Sequence, residues 1–193
     1  MATKSPKTKL ALWIGASLLA IGSVVAYAAI AVIQESGTSE HIGLTGGPAT
    51  LTARTLVTPV GETTGGWHYH PGYVYNVVVQ GTITIEDGCG VIEQFSAGQA
   101  FETSTGRVHR AYNLGNVDAV EYNMFVNHQG KPPGRSIPNN ERRCGPPSTV
   151  AECKRGGWAK FDHPSLFANQ GECVAYVKNR STITLLVPED PLF

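Results

Sequence analysis

Beyond the N-terminus the sequence has no Lys/Arg-rich run, and its 15 Lys+Arg balance 15 Asp+Glu to a formal net charge of zero. Without a basic stripe to meet phosphates, nucleic acid is not an expected partner. Cys89, Cys144, Cys153 and Cys173 contain no Cys-x2-Cys pair, the spacing that a structural zinc–cysteine site favours. Between Gly47 and Cys144 no segment carries a helical apolar period, and no solenoid-type repeat runs through the chain. These gaps leave a short list: a neutral, non-helical, single-copy fold, with its chemistry elsewhere than in its cysteines.

What is present fits many short strands. The chain has 193 residues, room for one domain with a small appendage. It has 22 Gly and 12 Pro, which punctuate it every few residues after the first 33. Strand-like segments rich in Val, Ile, Tyr and Thr are read from Ala49 onward, where Leu51, Ala53 and Thr55 alternate with polar neighbours. They continue at Tyr73 to Val79, Thr82 to Ile85, Val91 to Phe95, Val108 to Tyr112 and Ala119 to Val126. Their spacing predicts an all-β sandwich or barrel. Pro-rich breaks at Lys131–Gly134 and Gly145–Ser148 mark the exit from that barrel. The organisation read from the chain is a targeting segment at 1–33, a polar spacer at 34–47, a barrel at 48–145 and a Cys-containing tail at 146–193.

Lys4, Lys7 and Lys9 flank a charge-free run from Leu10 to Ile33, 24 residues. As a helix this run would reach about 36 Å, enough to cross a hydrocarbon core of about 30 Å. Ala26-Tyr27-Ala28 equally fits a small-x-small cleavage site. Anchor or cleaved signal, the body is expected outside the membrane, in an oxidising compartment where four cysteines form two disulfides. Three pairings are open.

The sharpest chemical signal is Gly66-Trp67-His68-Tyr69-His70. In a strand, residues i and i+2 share a face about 7 Å apart, so two imidazoles can converge on one ion. A second segment runs Gly98, Ser104, Gly106, His109, Asn113. Together these resemble the two sequence motifs of the cupin superfamily. The first is matched at His68, His70 and Gly81, with Gly61 one residue off its spacing. The second is matched at Gly98, Gly106, His109 and Asn113, with Ser104 where proline is usual.

The resemblance implies a jelly-roll β-barrel, to which the charge-free run adds an N-terminal hydrophobic helix and the last cysteines a small disulfide-linked tail. It also implies His68, His70 and His109 as metal ligands. The carboxylate of the first motif has no counterpart: its position falls on Val74 or Tyr75. Zinc is the first candidate ion, ahead of copper or nickel, with manganese and iron also admitted and a metal-free pocket as the alternative. Trp67, Tyr73, Tyr75 and Asn113 are pocket candidates. Glu93, Glu102 and Glu121, the nearest acids, are read as solvated surface carboxylates, and His41, His128 and His163 as surface residues.

Similarity to secreted bacterial cupins that share the Gly66–Gly72 run implies a Cys89–Cys144 bridge. A Cys-Lys-x-Gly-Gly-Trp tail module implies Cys153–Cys173. The expected function is a metal-dependent reaction on a small molecule, of dioxygenase, isomerase or hydrolase type. The alternative is a non-catalytic module binding a small molecule or metal at the cell surface. Expected partners are a small-molecule ligand, the membrane if the N-terminal segment stays uncleaved, and a second copy, a homodimer being allowed.

Overall fold

A computed structural model describes residues 30–183, with side chains from 34 to 180. Ten strands make up two five-stranded antiparallel sheets. They are β1 (Ile30–Ile42), β2 (Gly47–Thr58), β3 (His68–Tyr69), β4 (Tyr73–Gln80), β5 (Thr82–Asp87), β6 (Ile92–Ser96), β7 (Ala100–Thr103), β8 (His109–Tyr112), β9 (Ala119–His128) and β10 (Arg135–Ser136). One sheet runs β1-β2-β9-β4-β7 and the other β10-β3-β8-β5-β6. Facing sheets whose order jumps along the chain are the jelly-roll arrangement, so the all-β barrel expected from the strand spacing is present.

Alternation explains the strands that frame the interior. In β4, Val74, Asn76 and Val78 are buried, while Tyr75, Val77 and Val79 are exposed. In β9, Ala119, Glu121, Asn123 and Phe125 are buried, while Tyr122 and Met124 are exposed. The two inner sets meet in register, Asn76 opposite Asn123 and Val74 opposite Phe125. Val78, Ile83, Ala111 and Ala119 close one end as an apolar plug. The turn from β4 to β5 needs Gly81: its φ is +69°, and a Cβ there would meet the Asp118 carbonyl oxygen at 2.7 Å.

One expectation is corrected here. Residues 34–42, read as part of a spacer, belong to β1 and pair along β2, Gln34 opposite Arg54 and Ser39 opposite Ala49. A polar strand can sit at a sheet edge because its backbone, not its side chains, makes the pairing. The strand also takes in Ile30 to Ile33, the end of the apolar run. The rest of that run lies outside the described residues, as does the expected N-terminal helix. Among the described residues no helix is long and apolar enough to cross a membrane.

The inner face of β2 is largely polar. Thr52, Leu56 and Thr58 are buried, not Leu51 or Ala53. The interior beside the site is polar, so an apolar-in reading selects the wrong face.

The tail has a core of its own. Its elements are α1 (Val150–Cys153), a 3-10 turn at Gly157–Lys160 and α2 (Gln170–Ile183). Cys144, Cys153, Phe161, Phe167, Cys173 and Val177 are buried together. Both bridges are formed as the resemblance implied, Cys89–Cys144 and Cys153–Cys173. The Thr149 side chain and Glu152 form a reciprocal capping box that starts α1.

Candidate metal centre

His68 and His109 face each other across the β3–β8 pair, and His70 follows just beyond β3. Their ring centroids lie 4.5 Å apart for His68–His109 and 5.0 Å for each pairing with His70. One ligating nitrogen from each lies within 4.8 Å of the other two. A tetrahedral ion with bonds of about 2.1 Å wants these nitrogens about 3.4 Å apart, inside that limit.

Each ring is held from behind by a carbonyl. Nδ1 of His68 lies 2.8 Å from the Gly66 oxygen, that of His70 2.7 Å from Pro133, and that of His109 2.8 Å from Arg107. A carbonyl only accepts, so each Nδ1 carries the proton and donates it. The Nε2 lone pairs remain for the cavity. This carbonyl backing orients ligand histidines and fixes their tautomer in metal sites generally.

Burial keeps the rings neutral. Desolvation, reinforced by the neighbouring imidazoles and only partly offset by the Pro133 bond, holds His70 down to about 2. Desolvation, with His68 beside it, holds His109 to about 3. His68 is lowered for the same leading reason. The site is thus deprotonated in advance and ready to accept a cation.

The cavity in front of the rings has a volume of about 40 Å³, on the order of three water-sized positions. Its far wall comes from the other sheet and is partly polar. Arg54 donates from Nε to Asn123 Oδ1 at 3.1 Å, Asn123 Nδ2 donates to Asn76 Oδ1 at 2.9 Å, and Asn76 Nδ2 donates to Thr103 Oγ1 at 3.1 Å. The row follows strand register, Arg54 opposite Asn123 and Asn123 opposite Asn76. Glu121 lines the same cavity at 3% exposure. Desolvation pushes its carboxyl up to about 7, against the downward pull of Arg54.

The sequence-read residues divide sharply. The three histidines come together. Val74 lines the cavity, so an apolar side chain occupies the position where the resemblance looks for an acid. None of the four pocket candidates lines the cavity. Trp67 is buried on the opposite face with Tyr69, Val108 and Ile137, under the Arg110 guanidinium at 4.7 Å. Tyr73 borders a separate cleft beside Arg180. Tyr75 points outward, 38% exposed. Asn113 is fully buried and structural, donating to the Thr58 and Val117 carbonyls at 2.9 and 2.8 Å.

Glu93 and Glu102 are exposed as expected, and Glu121 is not. Its signal was the period of β9: two residues after Ala119 and two before Asn123, it must share their face. His163 is half-buried against Tyr69, ring centroids 4.9 Å apart, rather than free on the surface. Pro133, read as part of the barrel's exit, supplies the carbonyl that orients His70.

A two-sheet antiparallel barrel with three inward, carbonyl-backed histidines defines a small β-barrel protein with a candidate metal centre. Residues 54–125 match the cupin domain family model. No curated protein matches the chain. Among solved structures, a conserved protein with a double-stranded β-helix domain from Klebsiella pneumoniae is 21% identical, covering 44% of this chain and 72% of its own at TM-score 0.39. An RmlC-like cupin family protein from Methanocaldococcus jannaschii is 14% identical, covering 49% and 82% at TM-score 0.39. A cupin 2 conserved barrel domain protein from Salinispora arenicola is 17% identical, covering 48% and 74% at TM-score 0.36.

Proposed function

We propose that this is an extracytoplasmic cupin-domain protein in which His68, His70 and His109 hold a divalent ion, and that the ion serves chemistry on a small molecule. The carrying observation is the set of three Nδ1–carbonyl hydrogen bonds, which leaves three neutral imidazoles with free Nε2 atoms around one cavity. Zinc suits the all-nitrogen donor set and an oxidising location, with copper or nickel next. A bound ion would supply Lewis acidity toward an oxygen-bearing ligand or water.

Chain residues supply the rest. The carbonyls hold the rings in place, Val74 and Phe125 exclude water from part of the wall, and Glu121 offers a carboxyl that takes up and releases a proton near neutral pH. Extracytoplasmic placement is supported by two disulfides with no free cysteine among the described residues. The charge-free run after Lys9 supports it as well.

The test is metal content of the full-length chain by mass spectrometry after exposure to zinc, copper, nickel, manganese and ferrous ions. About one equivalent is expected, falling to near zero in His68→Ala and in His109→Ala with the fold retained by circular dichroism. A folded unmutated protein that takes up none of these ions would overturn the reading.

A further inference from the structure

The wall facing the histidines carries a cation, Arg54, whose charge acts on the buried carboxyl of Glu121 without a direct ion pair. Arg54 donates one hydrogen bond, from Nε to Asn123. None of the ion pairs among the described residues includes it, whereas Arg107, Arg110, Arg142 and Arg143 each have a carboxylate within 4.0 Å. Its guanidinium carbon lies 4.8 Å from the centroid of the Phe125 ring. On that ring His70 also packs, at 5.4 Å. The guanidinium and His70 thus both pack on the Phe125 ring, and both line the same cavity.

Charge makes the arrangement incomplete. Three neutral imidazoles bring no negative charge to a divalent ion, and Arg54 stays protonated even though burial lowers its pKa. Among the described residues Glu121 is the only carboxylate on the wall, and its burial favours the neutral form. A cavity of low polarisability with that much positive charge is costly unless an anion enters it. The volume of about 40 Å³ admits only a few non-hydrogen atoms. The guanidinium fork matches the two oxygens of a carboxylate, and Leu56, Val74 and Ile85 supply apolar contact for a short carbon stem.

We infer that the cavity receives a small carboxylate anion, its charge lying between the Arg54 guanidinium and the ion held by His68, His70 and His109. The inference rests on the metal reading above and names the ligand class for that site.

The test titrates acetate, with acetamide as the neutral control of the same shape, into the zinc-loaded full-length protein by calorimetry. Metal content is measured on the same samples. Acetate is expected to bind and acetamide not. Arg54→Gln should weaken acetate at least tenfold with zinc stoichiometry unchanged, and Arg54→Lys should recover part of the affinity. Equal acetate affinity in the unmutated protein and folded Arg54→Gln overturns the inference, as does absence of acetate binding to the zinc-loaded protein. If no zinc binds, the metal reading is what has failed. Acetate titrated into the metal-free protein then still reports on Arg54, and no Arg54-dependent binding there overturns the carboxylate assignment too.

Discussion

His68 stands directly opposite His109 across the β3–β8 pair, with ring centroids 4.5 Å apart. Cross-strand partners are the closest side chains that a sheet can offer, so two motifs about forty residues apart in the chain become one site through register alone. A slip of one residue would turn an entire strand face outward. The register is kept on one side by β5, which pairs Asp87 with His109, and on the other by β10, which pairs Ser136 with His68.

The orientation of His70 depends on the segment leading into β10. A Cβ on Gly134 would lie 3.2 Å from His70 Nδ1, next to the Pro133 carbonyl that receives its proton. Gly134→Val should therefore displace the ring and weaken zinc binding about 10- to 100-fold, with little loss of strand signal in circular dichroism. Competition against a chelating dye measures this; unchanged affinity would show that the carbonyl backing is dispensable.

Acid should unfold the metal-free protein by a definite route. The buried histidines take protons only at low pH when folded, His70 at about 2 and His109 at about 3, against 6.5 in the unfolded chain. The unfolded state then binds more protons below pH 6.5. Their contribution is fully present above that value and lost as pH falls toward 3. Glu121 acts in the opposite sense: raised from 4.5 to about 7, it stabilises below pH 4.5 and loses that effect as pH rises through 7. Two such histidines outweigh one carboxyl, so urea midpoints should fall between pH 6.5 and 4.5. Glu121→Gln, which removes the opposing group, should make that fall steeper.

The two bridges should differ in worth according to the loops they close. Cys153–Cys173 spans a separation of 20 and Cys89–Cys144 one of 55. In the chain-entropy picture they contribute about 3 and about 4 kcal/mol. Paired Cys→Ser substitutions read by denaturant unfolding should rank in that order, and the Cys153/Cys173 variant should become protease-sensitive in the tail while the barrel persists.

Arg107 joins barrel to tail. Its guanidinium contacts Asp87 at 2.6 Å, Glu152 at 3.0 Å and the Pro146 carbonyl at 2.9 Å, at 12% side-chain exposure. Arg107→Met leaves two carboxylates short of their partner and should cost about 3 kcal/mol. Limited proteolysis should then cut first within 146–183. Zinc affinity should change little, because the Arg107 backbone carbonyl still receives the His109 proton.

Much of the site was legible because its signal is local. Spacing along one strand placed His68 and His70 together, and the second motif supplied His109. Most strand positions from Gly47 to His128 follow the β-branched pattern, though β7 (Ala100–Thr103) was not read as a strand, and the resemblance paired all four cysteines correctly. Arg54 and Glu121 stayed hidden for a common reason. Each is a charged residue on a strand whose inner face is polar, and a reading that assigns apolar side chains to the interior puts them outside. Pro133 was hidden differently, since its part is played by a backbone carbonyl that any residue type would provide. β1 escaped notice because an edge strand of polar residues carries no apolar period.

The sequence by itself determined the all-β class and the His68/His70 pair through residue type and short spacing, while His109 and the disulfide pairing came through the resemblance to known families. Only the tertiary structure decided what faces the imidazoles. Which side chains share a cavity depends on how two sheets stack and which face of each turns inward. That is settled by pairing among β2, β4, β7 and β9, strands spread over more than 70 residues of chain. The half-buried guanidinium, the protonatable carboxyl and the apolar residue in the acid's place are consequences of that packing.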